Sequence, residues 1–510
     1  MTTRTSLQAR APSGSVLAVV LVQTGIVATT LILCTPIWNN SPVRDAFVYV
    51  LCALQTAHAV WAIFSWRVVT RRVFDAYSLF LVSLVLFNSG QLILETFGLN
   101  ARGILGNKFS FRTDTIARTV ALVTICTTFM HLGALLSIYV MGRYRSATVA
   151  APLAAGTDRR QHLRWLGVLM IAVGALPFLF NAVDALRIAI TSGYLALYQQ
   201  DVRTGIVGWY DRLAEMVAPG ALLLLAGSKG NPRAAWTAWV VIVASALTAM
   251  YLGIRSTAYQ IVVAALVLHH NLIYRVKSWL LTATLVVGVL AIPLVGSARV
   301  EKGPGRMSAS SLEAVYGKTD QVVVAAVDEM GRSMATVAYT LELVPTKRDF
   351  EHGMTLAVAP LAIVPSLFWE VHPLARNGFL GDWLIHEVDP RYAHMRGGLG
   401  FSMIAEAYLN FAWEGAPLFM AFGGFVLGAF TWWSRAREAD ELRLAAEGLL
   451  ISVLLLYARG EFVLVARPIL WNCVLPILFL KYVVPRVVRS ARCTPTRSGG
   501  TLAQAHPRSR

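Results

Sequence analysis

The stretch "GFSMIAEAYLNFAWEG", Gly400 to Gly415, places Ser402, Glu406, Asn410 and Glu414 at every fourth position, directly before the apolar run "APLFMAFGGFVLGAF". On a helix this spacing makes a polar stripe that drifts only slowly around the axis. A charge buried in hydrocarbon costs several kcal/mol, so carboxylates beside a membrane segment usually serve a purpose. Glu406 and Asn410 stand among Tyr408, Phe411 and Trp413. That mixture suits sugar rings, whose apolar faces stack on aromatics while their hydroxyls bond carboxylates and amides. The stripe reads as the polar lip of an external cavity; the plainer alternative is an interfacial helix wetted on one side.

A second set of residues suits phosphate. "YLGIRSTAYQ" puts Arg255 in a very short turn, and "YARGEFVLVARPILWN" puts Arg459, Glu461 and Arg467 around a hairpin. "TSGYLALYQQ" adds Tyr194 and Tyr198 in a neighbouring loop. Arginines at a membrane boundary often only snorkel. Two at separate hairpin tips also suit a lipid-linked pyrophosphate, because a planar guanidinium stays charged and grips phosphate oxygens in pairs.

The elements that must hold these residues follow from composition. The chain has 510 residues, 56% of them hydrophobic and only 14% charged. Soluble domains carry about 25% charged residues, so this is an all-α, polytopic membrane protein. The net charge of +17 does not indicate nucleic acid, because Lys and Arg cluster in short loops between apolar runs. The five cysteines show no metal-ligand spacing and the ten histidines form no HExxH, so neither a metal nor another cofactor is expected.

Runs long enough to span occur at 15–38, 46–66, 75–97, 115–141, 163–183, 209–227, 234–253, 256–273, 279–297, 416–434, 445–462 and 465–484, predicting about twelve helices. Exits of the even-numbered helices are basic: Arg67, Arg71 and Arg72; Arg143 and Arg145; Lys229 and Arg233; Arg275 and Lys277; Arg435 and Arg437. This places a short terminus, 1–14, and a basic tail, 485–510, in the cytoplasm. Helices one to nine occupy 15–297 and helices ten to twelve occupy 416–484. Between them, 298–415 becomes one long external loop, and the stripe, Arg255 and Arg459 fall on the same side. Within it, "VVVAAVDEMGRSMATVAYTLELVP" predicts an amphipathic helix with Glu329 and Arg332 on its polar side. "MTLAVAPLAIVPSLFWEV", interrupted by Pro360 and Pro365, fits a re-entrant or surface-lying segment.

The chain resembles the Wzy-type O-antigen and oligosaccharide repeat-unit polymerases. The resemblance rests on "GFSMIAEAYLNFAWEG" followed by "FGGFVLG", on "GIRS", and on "DEMGRSMATVAYTLELVP" followed by "HGMTL" and "AIVPSLFW". It covers roughly the C-terminal half from Gly193. Ala412 departs from the pattern, where a glycine is expected after Phe411. The resemblance implies a GT-C-like fold in the bacterial inner membrane, with its active site outside. It also implies metal-independent glycosyl transfer from undecaprenyl pyrophosphate to the next lipid-linked repeat, beside a flippase and a chain-length regulator. In that reading Glu406 is the base or positions the acceptor, with Glu329 second. Arg255, Arg459 and Arg467 hold pyrophosphate; Tyr408, Asn410, Tyr194 and Trp413 bind sugar. An O-antigen ligase, a polyprenyl-phosphate-sugar glycosyltransferase and a lipid-linked glycan flippase remain alternatives.

Overall fold

The computed structural model describes residues 13–39, 41–100, 103–106, 111–144, 156–193, 196–197, 205–290, 322–363, 378–394, 397–435 and 440–484. Tyr194, Tyr198, Pro365 and the basic tail therefore lie outside the described residues. Those described are helical, with no strand among them. Lipid offers no partner for backbone N–H and C=O groups, and a helix satisfies both within itself. Nine described helices are long and apolar enough to cross a membrane. Their outward faces are apolar, as at Ile32, Leu176 and Phe422, whereas Leu51, Leu122 and Leu223 are buried.

Two expected spans take other forms, and a third is described only in part. The 209–227 run is two short helices, Gly205–Ala214 and Val217–Ala226. The 445–462 run is the helix Glu441–Leu454 followed by a tight turn, Leu455–Arg459. The 279–297 run is described only as Ser278–Leu290. The expected amphipathic helix of the long loop is likewise two helices, Val322–Gly331 and Met334–Leu343.

The helix Thr113–Tyr144 is central. It packs against Ser13–Leu33, Asp45–Thr70 and, most extensively, Met403–Arg435. Close approach there depends on small residues. A Cβ on Gly133 would strike the Ala421 backbone, and one on Gly424 the Met130 backbone. Packing of this kind drives helix association in lipid, where no hydrophobic effect separates helix from solvent.

Several polar groups inside the bundle are paired across helices. Tyr77 Oη and Ser65 Oγ each lie 2.8 Å from a His131 ring nitrogen. Gln23 bonds His58 and accepts from the Trp61 indole. At one end of the bundle, buried Arg435 donates to Glu447 (2.9 Å), the Phe74 carbonyl (3.1 Å) and Asn271 (2.5 Å). Arg160 bonds Glu441 nearby, in the same layer of helix ends. The candidate site residues gather at the opposite end.

Candidate functional site

The polar stripe belongs to the helix Met403–Arg435, which begins well before the expected start at 416. The break is at Ala412 (φ 55°, ψ −159°), the position where the family pattern has glycine. The kink divides the stripe. Ser402, Glu406 and Asn410 are buried in the protein, and Glu414 turns away and is exposed. The expectation of an open polar lip is corrected for the first three. Their side chains find partners on other elements.

Glu406 is held on both oxygens. Its Oε1 accepts from the Thr355 hydroxyl (3.1 Å) and its Oε2 from the Phe462 backbone N–H (2.8 Å), at the start of the helix Phe462–Pro468. Thr355 belongs to "HGMTL", on the short helix Met354–Val358 that follows left-handed Gly353. The Tyr457 phenol is turned toward Glu406 without a hydrogen bond of ordinary geometry. Asn410 donates to Thr355 Oγ1 (2.7 Å) and to the Glu406 carbonyl (2.8 Å). A carbonyl only accepts, which fixes the Asn410 amide orientation and leaves Oδ1 as the acceptor. That Oδ1 is buried and has no partner among the described residues. Buried acceptors rarely go unmet. A carboxylate and an orphan amide oxygen thus lie one helical turn apart, a pair matched to incoming hydroxyl donors.

A neighbouring clamp sets the hairpin. Glu461 accepts from the Leu380 (2.9 Å) and Gly381 (3.3 Å) N–H groups, closing the first turn of the helix Leu380–Val388. It sits at the break before Phe462, outside the spanning segments. Burial pushes its carboxyl up to about 7, against the pull of those two N–H donors; Asp382 raises it further and Arg348 opposes. Arg348 itself lies 4.7 Å from the Trp383 ring and pairs with Glu351 at 2.7 Å.

The helix Ala76–Thr96 connects the remaining parts. Asn88 accepts from Ser402 Oγ (2.6 Å) and donates to the Ala458 carbonyl (2.8 Å). Phe87 lies 5.3 Å beneath the Arg459 guanidinium, and Gln91 donates to Asp328 at 3.1 Å. Asp328 also pairs with Arg332 at 2.7 Å. Arg255 and Glu329 pair directly with each other, uniting two candidates from distant segments. Arg467 is elsewhere, 3.9 Å from Glu215 and near Arg212. Tyr408 is buried between Phe350 and Trp413, each ring edge-on to it. Trp413 stands beyond the kink. Among the described residues no group of three His, Cys, Asp or Glu is placed to hold a metal ion.

Sequence reasoning missed Asn88, Gln91, Thr355 and the capping task of Glu461. Asn88 and Gln91 interrupt the apolar run "LFLVSLVLFNSGQLIL", which was the available signal for both.

The family model described as O-antigen polysaccharide polymerase Wzy matches residues 20–488. No curated protein and no solved structure matches the chain. The match takes in the nine candidate spans almost entirely, together with the Glu406 cluster and its neighbours. This multi-pass membrane protein therefore belongs to the O-antigen polysaccharide polymerase Wzy family.

Proposed function

We propose that the chain joins lipid-linked oligosaccharide repeats by moving the growing glycan from a polyprenyl pyrophosphate onto a hydroxyl of the next repeat. The observation carrying this reading is the pairing of Glu406 with the orphan Oδ1 of Asn410 in a buried layer. The acceptor hydroxyl attacks the anomeric carbon, its proton passes to Glu406, and the C–O bond to pyrophosphate breaks. The Thr355 and Phe462 donors leave lone pairs on both Glu406 oxygens for that proton. Asn410 Oδ1 would accept a second sugar hydroxyl and fix the ring.

Negative charge grows on the departing pyrophosphate, where preorganised cations help most. Arg459 and Arg255 are the groups proposed to meet it. Both lie along the helix Ala76–Thr96: Arg459 over Phe87, and Arg255 through Glu329, whose helix packs on it. The ion pair with Glu329 makes that carboxylate a steering partner for Arg255 and a weaker candidate for base. Arg467, near Glu215, is the less favoured third cation. The basic exits of the even-numbered helices support the reading that this end of the bundle faces outside the cytoplasm.

The test is elongation of lipid-linked repeats by purified protein. Glu406→Gln keeps volume and an accepting oxygen for the Phe462 N–H, turns the Thr355 contact into one that its amide donates, and removes the base. General bases contribute about 10²–10⁴-fold, so elongation should fall by that factor at matched expression. Glu387→Gln, at an exposed carboxylate of the same segment, should elongate normally. Wild-type elongation by Glu406→Gln would remove Glu406 from the chemistry.

A further inference from the structure

The reaction proposed above consumes two lipid-linked substrates, and the Glu406 cluster with its arginines serves one leaving pyrophosphate. A second lipid needs a separate seat. Beyond the kink at Ala412, a cavity of about 630 Å³ opens between the end of the first helix, the start of Thr113–Tyr144 and the outer half of Met403–Arg435. Its volume is typical of small-molecule sites, about 300–1,000 Å³.

The lining changes character along its depth. Arg118 near the start of Thr113–Tyr144 and Trp38 at the end of Thr35–Trp38 stand toward the outer end, and Trp413 and Glu414 directly follow the kink at Ala412. Leu31, Phe129 and Leu418 form the inner part. Arg118 and Phe129 lie roughly 16 Å apart along their helix at 1.5 Å per residue. Leu418 and Phe422 are exposed on the flank of the Met403–Arg435 helix, so the apolar part continues onto the lipid-facing surface. An amphipathic lipid with a long hydrocarbon tail matches this gradient.

We propose that this cavity seats the acceptor: the first isoprene units of its polyprenyl pyrophosphate lie along Leu31, Phe129 and Leu418, and Arg118 holds its phosphate. The proposal rests on the polymerase reading. The acceptor's own pyrophosphate bond is not broken, so a single guanidinium for binding suffices there, unlike at the donor's leaving group. Glu414 in the same lining offers an acceptor to sugar hydroxyls, with the Trp413 ring as a stacking face. Trp413 meets Tyr408 at 6.0 Å, and Tyr408 shares a helix with Glu406. The seat and the base are thereby connected through one rigid half-helix.

The experiment uses the full-length protein in nanodiscs and a polyprenyl pyrophosphate carrying a diazirine in its first isoprene units. Photolysis should label peptides containing Phe129 and Leu418. Excess unlabelled polyprenyl pyrophosphate should remove the label, and the same mole fraction of phosphatidylglycerol should not. Loss of one charge-assisted contact is worth about tenfold, so Arg118→Ala should cut labelling by about that factor, and Leu418→Trp should block it by filling the cavity. Glu406→Gln should label as wild type. Equal competition by phosphatidylglycerol would overturn the proposal by making the cavity an ordinary lipid groove. Absence of label in wild-type protein that still elongates repeats overturns the seat and leaves the polymerase reading standing. Label in wild-type protein that cannot join repeats overturns the polymerase reading, and the acceptor assignment with it.

Discussion

Ala412 is held at φ 55° and ψ −159°, a region that residues with a Cβ almost never occupy. Such a conformation costs about 1–3 kcal/mol. Ala412→Gly removes the steric part of that cost. It also makes the unfolded chain freer, which takes back about 0.4–1 kcal/mol. The helix-interior penalty of glycine does not apply, because position 412 is the break itself. The net is a stabilisation of about 1–2 kcal/mol, giving a rise of about 1–2 °C in the unfolding midpoint of a chain this long. The measurement is thermal unfolding in nanodiscs, with the rate of heat inactivation as a check on irreversibility. Elongation should persist, since Glu406 and Asn410 keep their partners. Ala412→Val, with a branched Cβ at the same φ and ψ, should lower the midpoint. If Gly lowers it and Val leaves it unchanged, position 412 is ordinary helix, and the division of the polar stripe collapses with it.

Gly424→Leu should prevent the helices Thr113–Tyr144 and Met403–Arg435 from packing, because its Cβ would meet the Met130 backbone; the readout is loss of folded protein on size-exclusion chromatography. A cysteine replacing exposed Asp349, in a thiol-free background, should react with an impermeant maleimide in intact cells; one replacing exposed Lys229 should react only after lysis. The reverse pattern overturns the assigned orientation. Glu461, raised from the usual 4.5 to about 7, binds its proton more tightly in the folded state. Its contribution to stability is fully present below about pH 4.5 and is lost as pH rises through about 7. Glu461→Gln should flatten the unfolding midpoint between those values, and an unchanged slope would refute the burial argument.

The sequence alone determined the class, because hydropathy and charge follow from composition and order without reference to contacts. Apolar runs separated by basic clusters required a helical membrane protein, and the period-four spacing correctly joined Ser402, Glu406 and Asn410. The family resemblance marked Ala412 as the place where glycine was expected, which the positive φ there explains. Only the tertiary structure decided the rest. A period of four cannot say where a helix bends, so Glu414 was joined to a stripe that it leaves. Nor can spacing bring together residues from distant segments. Thr355 reaches Glu406, Arg255 reaches Glu329, and Asn88 ties Ser402 to Ala458 only because the fold brings several helix ends together. The capping role of Glu461 was hidden for the same reason: the N–H groups it accepts belong to a helix eighty residues earlier in the chain. Hydrophobic pattern is local information and a buried polar partner is not.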